Sequence, residues 1–519
     1  MSRHSGHESN LRAAKGEYNI MAKKIMFLGT GSDVGKSVAV TAFCRIFKRR
    51  GFKVTPFKAQ NMSNNSYITI EGGEIGRAQA VQAEAAKVLP SVHMNPVLLK
   101  PSSMLGSQIV LQGSVFGNMN AKAYEAFKPR LRAAVMESFG QLEREYDLIV
   151  MEGAGSCCEM NLKENDIVNL SMAEAVNAPC VLVADIDRGG VFAQIIGTYN
   201  LMSRKERGII AGFLINKFRG DPALFASGIE YIEKKTGKPV LGLVPWFNDI
   251  RIDQEDSVAI QDDRRIIRPA GRSTVNIAVV RLPCVSNFTD MEALSGERDV
   301  VLNYLIRPSE LSEDYDCLII PGTKNVMEDA AWISRTGWKR AVRHFAEKGT
   351  VVGICGGYQL MGMRISDPHG VESAEMSVKG IGLLPVETVL EREKTVRKVS
   401  GRCMPDGHRV TGYEIHMGQT YSMGAKGEPW LSISEPGEKT AWEEGCAIED
   451  GRIAGTYVHG IFDSPSFRAG FLNILRRGKG ITEKRAGAGP GSRSRRYDRL
   501  ADHFEGYCDV DKISSAIGI

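Results

Sequence analysis

The sequence predicts an α/β protein made of two successive domains, each built around a parallel sheet. Short β-branched apolar runs alternate with helical segments from residue 24 to about 250, and a second alternation runs from 274 to about 475. A glycine-rich loop, residues 29–37, follows the first strand and ends in Gly-Lys-Ser. A glycine-bracketed turn at residues 353–357, Gly-Ile-Cys-Gly-Gly, joins a strand of the second domain to a helix. Each domain therefore carries one candidate site.

The domain boundaries follow changes in composition along the chain. Residues 1–20 are polar and lack an apolar core, so we predict a disordered extension. The first domain takes residues 21–250, and the charged, aperiodic residues 251–273 are typical of a linker. The second domain takes residues 274–475. Residues 476–519 predict a flexible tail with one short helix, in the run YDRLADHFEGY.

The elements follow in chain order. The first domain opens with a strand, the glycine loop and a helix, in the runs KIMFLG, TGSDVGKS and VAVTAFCRIFKRRG. KVTPFKAQ and a long polar stretch come next, followed by a predicted helix around residues 121–145. Further strands are predicted in the runs YDLIVMEGAG, APCVLVADID, RGIIAGFLINKF and KPVLGLVPWF. Those of the second domain are VNIAVVRLP, DCLIIPG, TVVGIC and RIAGTYVHG.

The bulk composition is that of a globular protein and gives no indication of a nucleic-acid or membrane partner. Of 519 residues, 43% are hydrophobic and 24% are charged, and the net charge of +5 is small for this length. No apolar run approaches the length of a membrane span. The ten cysteines contain no C-x-x-C pair, which predicts a reduced, cytoplasmic protein. No pattern indicates the oligomeric state.

The loop LGTGSDVGKS predicts a phosphate site. Backbone N–H groups at a helix start bind phosphate, Lys36 neutralises its charge, and the Ser37 hydroxyl is a ligand for Mg²⁺. The strict motif requires glycine where this chain has Thr30, and Gly29 and Gly31 flank that position instead.

Two further polar residues end strands of the same predicted sheet. Glu152 ends an apolar strand, at the sheet edge where α/β proteins bind ligands, and its carboxylate is a second candidate for Mg²⁺. Asn216 ends another strand, just before Lys217. It is either a residue that reads a purine edge or part of a loop turn, and the pattern does not separate the two.

Cys355 is a candidate nucleophile in the second domain. Its glycine bracket has the form of a nucleophile elbow, whereas a buried cysteine is otherwise a small apolar side chain. His459 ends another strand of that predicted sheet and is the candidate base. The backbone N–H groups of Gly322 and Gly356 are candidates for an oxyanion hole.

These motifs together resemble the cobyric acid synthase family, glutamine-hydrolysing amidotransferases of adenosylcobalamin biosynthesis. The resemblance covers residues 22 to about 510. It is carried by GTGSDVGKS, PFKAQNMSNNSY, GGEIGRAQAVQAEAA, NPVLLKP, EGAGS, ADIDRGGVFA, INKFRGD, SNFTD, PGTKN, GICGGYQLMG, GYEIHMG and GTYVHGIFD. The first domain is also similar to dethiobiotin synthetase, which has the same shifted glycine, and the second resembles class I glutamine amidotransferases.

The resemblance implies a reaction and a set of site residues. ATP and Mg²⁺ activate carboxylates of the corrinoid adenosylcobyrinic acid a,c-diamide, and ammonia from glutamine amidates its b, d, e and g side chains. Cys355 and His459 would be nucleophile and base. The implied ATP-binding residues are Gly29, Thr30, Gly31, Asp33, Val34, Gly35, Lys36, Ser37 and Asn216, and the implied metal ligands are Ser37 and Glu152.

Some questions stay open at the level of sequence. Triad amidotransferases carry Glu two residues after the histidine, where this chain has Ile461, so Asp463 and Glu414 are both candidates for the third member. Cys157 and Cys158 lie where a loop beside the phosphates is expected and receive no chemical role. The alternatives are cobyrinic acid a,c-diamide synthase, an ATP-driven partitioning switch, and a corrinoid-binding protein with an inactive glutaminase domain.

Overall fold

The structure is a computed structural model that describes residues 21–103, 106–247, 269, 271, 273–424, 427–486 and 493–519. The predicted extension, residues 1–20, lies outside these ranges. So does the predicted linker, residues 251–273, apart from residues 269, 271 and 273.

The first domain contains twelve strands and seven α-helices among its described residues. The strands are β1 (Lys23–Gly29), β2 (Val54–Phe57), β3 (Gln60–Met62), β4 (Ser66–Ile68), β5 (Glu74–Gly76), β6 (Val97–Ser103), β7 (Gly106–Leu111), β8 (Ser114–Met119), β9 (Leu148–Glu152), β10 (Cys180–Asp185), β11 (Ile210–Phe218) and β12 (Val240–Pro245). The helices are α1 (Lys36–Arg49), α2 (Arg77–Ala85), α3 (Ala121–Glu145), α4 (Leu170–Ala175), α5 (Val191–Leu201), α6 (Arg204–Ile209) and α7 (Ala226–Thr236).

Six of these strands form the central sheet, in the order β12-β11-β10-β1-β9-β2, and all pair in parallel. Strand β1 shows why the pattern of apolar residues produces a buried strand. Ile25 and Phe27 join one apolar cluster, while Met26 and Leu28 join another on the opposite face. Since both faces are covered, the strand is apolar at every one of these positions.

The polar stretch before α3 forms two small sheets. Strands β3, β6, β7 and β8 make one, and β4 pairs with β5. The sequence predicts no strands there, because the residues lack a clear apolar period.

The second domain contains thirteen described strands. They are β13 (Val275–Val280), β14 (Val300–Leu305), β15 (Cys317–Ile320), β16 (Thr350–Ile354), β17 (Arg364–Ser366), β18 (Ser377–Lys379), β19 (Val386–Cys403), β20 (Arg409–Ser422), β21 (Leu431–Ser434), β22 (Trp442–Glu444), β23 (Cys446–Ile448), β24 (Ile453–Thr456) and β25 (Val458–His459). The α-helices are α8 (Glu292–Ser295), α9 (Val326–Thr336), α10 (Trp338–Phe345), α11 (Gly356–Met361) and α12 (Pro465–Gly478).

The main sheet of this domain has the order β14-β13-β15-β16-β24-β23 and is parallel except for β23. A second sheet is organised around the long antiparallel pair β19–β20 and includes β25, which ends in His459. The prediction that His459 ends a strand of the same sheet as Cys355 is therefore wrong, because β24 of the parallel sheet ends at Thr456 and the next residues pair with β20 instead. The two parallel sheets confirm the predicted α/β architecture.

The C-terminal residues correct the predicted tail. Two helices, α13 (Arg493–Tyr507) and α14 (Val510–Ala516), follow the second domain and return to the first. Tyr497, Leu500 and Phe504 of α13 are buried in the same apolar cluster as α1. The end of the chain therefore completes the core of the first domain, because α1 presents an apolar face that α13 covers.

The two domains contact one another through apolar and polar groups. Ile68 of β4 forms an apolar cluster with Tyr413 and Ile415 of β20. Nearby, Lys394 of β19 donates to Glu74 of β5 over 2.5 Å. Within the described ranges, no helix has the length and apolar character needed to cross a bilayer.

Candidate active site

The phosphate loop lies between β1 and α1, as the sequence predicts. Gly35 precedes the helix with φ of +98°, a left-handed conformation that favours glycine. The Lys36 ammonium donates to the carbonyl oxygens of Gly31, over 2.9 Å, and Gly155, over 2.8 Å. The Cys157 backbone N–H donates to the Gly29 carbonyl. The loop and the segment after β9 therefore enclose the lysine together.

Glu152 lies beside Ser37, and two further side chains hold it. The Ser37 hydroxyl donates to Glu152 Oε1 over 2.8 Å, and Lys58 Nζ donates to the same oxygen over 2.9 Å. Gln82 Nε2 donates to Oε2 over 2.5 Å. Lys58 belongs to the run PFKAQNMS, but the sequence alone gives it no role, because a lysine after a strand has no distinguishing local pattern.

The other side of the loop is braced by the end of β11. Asn216 Nδ2 donates to the Val34 carbonyl over 3.0 Å, and Lys217 Nζ donates to the Asp33 carbonyl over 2.6 Å and to Asp185 over 2.8 Å. Of the two interpretations of Asn216, these contacts favour a structural role in the loop, because its amide N–H group is already bonded to the backbone.

Cys355 occupies a strained turn between β16 and α11. Its φ of +50° and ψ of −109° are rare for a residue with a side chain, and such strain is typical of a nucleophile elbow. The flanking glycines are required by close packing. A Cβ on Gly353 would lie 2.6 Å from the Met361 sulfur, and one on Gly357 would lie 1.9 Å from the Ile320 carbonyl oxygen.

His459 is buried in the cavity that Cys355 lines. Its Nδ1 lies 2.7 Å from Oδ2 of Asp290, and Oδ1 of that carboxylate accepts the Gly460 N–H over 2.8 Å. Burial lowers the pKa of His459, but the Asp290 carboxylate and the Cys355 sulfur outweigh burial and raise the pKa well above its ordinary value. Cys355, His459 and Asp290 thus have the arrangement of nucleophile, base and orienting carboxylate.

Asp290 corrects both sequence-based candidates for the third member. Asp463 instead accepts from Arg493 over 2.7 Å, and Glu414 pairs with Arg397. Asp290 lies on a short 3₁₀ turn, Phe288–Met291, far from the histidine in sequence. The sequence does contain one indication of this residue: Asp290 ends the run SNFTD, a family motif that follows the first strand of the domain.

The two oxyanion candidates lie near one another. A Cβ on Gly322 would lie 3.1 Å from Cε1 of His459, and one on Gly356 would lie 2.5 Å from Cγ2 of Thr323, the residue after Gly322. The structure therefore brings both glycines to the region of Cys355 and His459. Their role in binding an oxyanion stays a prediction.

The cavity around Cys355 has charged walls that come from both domains. Lys324, Glu372 and Lys394 belong to the second domain, and Lys100 belongs to the first. Burial raises the pKa of Glu74, but Lys100 and Lys394, which both contact its carboxylate, lower the pKa overall. Burial also lowers the pKa of Lys324.

The comparisons with known proteins agree with this arrangement. A model of the CobQ/CobB/MinD/ParA nucleotide binding domain matches residues 25–258, and a model of the CobB/CobQ-like glutamine amidotransferase domain matches residues 276–467. Among curated relatives, the protein from Syntrophobacter fumaroxidans named cobyric acid synthase is 48% identical over 96% of this chain and 99% of its own length.

Two other relatives carry the same name. The protein from Caldanaerobacter subterraneus subsp. tengcongensis is 47% identical over 95% of this chain and 98% of its own length. The protein from Chlorobium phaeobacteroides is 44% identical over 96% of this chain and 99% of its own length. Both family models and all three relatives agree with the resemblance that the motifs indicate. The chain therefore belongs to the cobyric acid synthase family.

Proposed function

We propose that this chain uses ATP and glutamine to amidate the b, d, e and g carboxylates of adenosylcobyrinic acid a,c-diamide, which gives adenosylcobyric acid. Membership of the family and the two matched domains support this function. The observation that carries the glutaminase half is the Asp290–His459 hydrogen bond, with His459 and Cys355 lining the same cavity.

In the second domain, the Cys355 sulfur attacks the carboxamide carbon of glutamine. His459 takes up the thiol proton and delivers it to the departing nitrogen, which leaves as ammonia. Water, deprotonated by His459, then hydrolyses the thioester and releases glutamate. The Gly322 and Gly356 N–H groups would stabilise the oxyanion in both steps. The lysines and Glu372 in the cavity suit the carboxylate and ammonium groups of free glutamine.

In the first domain, a substrate carboxylate attacks the γ-phosphorus of ATP and forms an acyl phosphate, with ADP leaving. Ammonia then attacks the acyl carbon and forms the C–N bond of the amide. The bond between the acyl carbon and the phosphate oxygen breaks, and inorganic phosphate leaves. Lys36 and the backbone of the loop would bind the phosphates. The neighbouring hydroxyl and carboxylate oxygens of Ser37 and Glu152 fit a Mg²⁺ ion, which supplies charge neutralisation when bound.

The alternative is cobyrinic acid a,c-diamide synthase, which would amidate two other carboxylates of the corrin. Mass spectrometry of the product, with ATP, Mg²⁺ and glutamine supplied, distinguishes the two. The proposed activity adds four amides to the a,c-diamide, whereas the alternative adds two amides to cobyrinic acid and none to the a,c-diamide. A cytoplasmic location stays a prediction.

Substitution of the proposed nucleophile tests the division of labour between the domains. We expect Cys355→Ala to lose glutaminase activity by several orders of magnitude, on the scale of ~10⁶-fold seen for other covalent nucleophiles. Amidation from ammonium salt should persist, because the ATP site is unchanged. The measurement compares amide formation from glutamine and from ammonium on the same folded variant.

Cys317→Ala is the matched control. Cys317 is a fully buried cysteine on the neighbouring strand β15 and does not line the cavity around Cys355. It should keep both activities in the wild-type ratio. If Cys355→Ala instead loses amide formation from glutamine and from ammonium equally, or keeps glutaminase activity, Cys355 is not the nucleophile.

A further inference from the structure

A pair of asparagines exchanges hydrogen bonds between the two domains next to the proposed glutaminase site. Asn287 Oδ1, from the second domain, accepts the Ser66 N–H of the first domain over 2.9 Å. In return, Asn65 Oδ1 accepts the Phe288 N–H over 3.2 Å. Asn65 is 2% exposed and Asn287 is 3% exposed. Buried bonds of this kind are costly to leave unmade, so they fix the two segments relative to each other.

Phe288, which donates to Asn65, belongs to the same 3₁₀ turn as the proposed catalytic carboxylate of Asp290. Asn287 adopts a left-handed conformation, with φ of +49°, and immediately precedes the 3₁₀ turn that carries Asp290. Both oxygens of Asp290 are used, one by His459 and one by the Gly460 N–H. Because Asp290 lies two residues after Phe288, a shift of that turn changes the geometry of the Asp290–His459 bond.

The same dipeptide of the first domain also reaches His459 from another side. The Tyr413 hydroxyl donates to the Ser66 carbonyl over 3.1 Å. The Tyr413 ring stacks on the His459 ring, with centroids 5.4 Å apart and planes 24° apart. The Ser66 N–H therefore donates to Asn287, the residue before the Asp290 turn. The Ser66 carbonyl accepts from the hydroxyl of Tyr413, whose ring stacks on the His459 imidazole.

We infer that Asn65 and Ser66 of the ATP-binding domain position the Asp290–His459 pair of the glutaminase domain. Asn65 is a positioning residue in this inference, since it touches the Asp290 turn and not the substrate. The inference rests on the proposed function, in which Cys355, His459 and Asp290 hydrolyse glutamine. Its consequence is that glutamine hydrolysis depends on a first-domain side chain that lies outside the phosphate loop.

Asn65→Ala in the full chain tests the inference. We expect kcat for glutamine hydrolysis to fall on the order of 10- to 100-fold, the loss typical of a catalytic group displaced by a fraction of an ångström to 1 Å. KM for glutamine should change little, because no cavity residue is removed. Amidation from ammonium should stay at the wild-type rate, which also shows that the variant is folded and that its ATP site is intact.

Asn64→Ala is the matched control. It removes the same type of side chain one position earlier, and its Oδ1 has no hydrogen-bond partner within the described part of the chain. It should leave kcat for glutamine unchanged. Asn287→Gly is a second variant from the other side of the exchange, because glycine tolerates the left-handed backbone while losing the bond to Ser66. Asn287 also lines the cavity around Cys355, so for this variant only kcat, and not KM for glutamine, bears on the inference. Asn287→Gly should reproduce the loss in kcat.

A double-mutant cycle with Asp290→Asn separates positioning from an independent effect. If Asn65 acts through Asp290, Asn65→Ala should cost little in the Asp290→Asn background. Three outcomes would each overturn the inference. Asn65→Ala could keep the wild-type kcat for glutamine hydrolysis, or the losses in kcat could multiply fully in the double variant. Alternatively, Asn65→Ala could lose ammonium-dependent amidation as much as glutamine hydrolysis. The proposed function has its own test, since Cys355→Ala must abolish glutamine hydrolysis whatever Asn65 does.

Discussion

The Cys355 and His459 side chains show what single residues in a sequence can and cannot predict. Both stand at strand ends in glycine-rich runs, and from the sequence alone they are expected to end strands of one parallel sheet. In the structure Cys355 follows β16 of the parallel sheet, whereas His459 ends β25, which pairs antiparallel with β20 of the second sheet. Asp290 has no such signal. It lies on a short turn that is held by two distant contacts: the Ser286 N–H donates to the Gly322 carbonyl and the Phe288 N–H donates to Asn65 of the other domain. Neither contact is local in sequence.

The environment of His459 gives a pH-dependent prediction. Burial alone would lower the pKa of the imidazole, and the Asp290 carboxylate is the first of the groups that raise it. In Asp290→Asn that charge is absent, so the pKa of His459 should fall toward its ordinary value. A weaker base takes the thiol proton less readily, and we expect kcat for glutamine hydrolysis to fall about 10²- to 10⁴-fold, as in other triads.

NMR titration of the imidazole in both proteins, alongside glutamate release across pH, measures this effect. Asp463→Asn is the control, because its partner is Arg493 and it should keep the wild-type pH profile. An unchanged histidine pKa in Asp290→Asn would show that the carboxylate does not act on the base.

At the scale of elements, the apolar strands were predictable and the polar ones were not. β1, β9, β10 and β16 are buried on both faces, so nearly every residue is apolar and the run is visible in the sequence. β19 is 18 residues long and strongly charged. Its Lys394 is partly buried and donates to Glu74 of the other domain, and a pairing across 320 residues leaves no local pattern.

The C-terminal helix α13 carries a stability prediction. Phe504 is completely buried, and its ring lies 6.3 Å from the Phe43 ring of α1, the helix that begins at the phosphate loop. Phe504→Ala should lower the free energy of unfolding by about 3–5 kcal/mol, since the truncation leaves a cavity under α1. Denaturant unfolding followed by tryptophan fluorescence and circular dichroism measures it.

Tyr507→Ala on the same helix is the control, because Tyr507 is 45% exposed and its loss should change stability by about 0.5 kcal/mol or less. If Phe504→Ala lowers the free energy of unfolding as little as Tyr507→Ala does, α13 does not stabilise the first domain.

At the scale of the whole molecule, one short segment contacts both sites. It begins at Lys58, which donates to Glu152 beside the phosphate loop, and ends at Asn65 and Ser66, which contact the Asp290 turn and Tyr413. The run PFKAQNMSNNSY thus belongs to both halves of the proposed reaction. The sequence identified this run as a family motif, but the reason for it lies in contacts that only the folded chain brings together.

The phosphate loop supplies the complementary test of the two-site enzyme. Lys36 lies within the loop, bonded to the Gly31 and Gly155 carbonyls, and in the proposed function its ammonium group neutralises the transferring phosphate. Lys36→Ala should abolish amide formation from glutamine and from ammonium alike, because neither nitrogen source reacts without the acyl phosphate.

Glutamate release should continue in Lys36→Ala, at a wild-type or reduced rate, because the cavity around Cys355 contains no residue of the loop. Cys355→Ala and Lys36→Ala should therefore differ in which activities they lose. Cys355→Ala loses glutamine hydrolysis and keeps ammonium-dependent amidation, whereas Lys36→Ala keeps hydrolysis and loses both amidations. Lys48→Ala, at the far end of α1, is the control and should change neither activity. Amidation from ammonium at the wild-type rate in Lys36→Ala would show that the loop is not the ATP site.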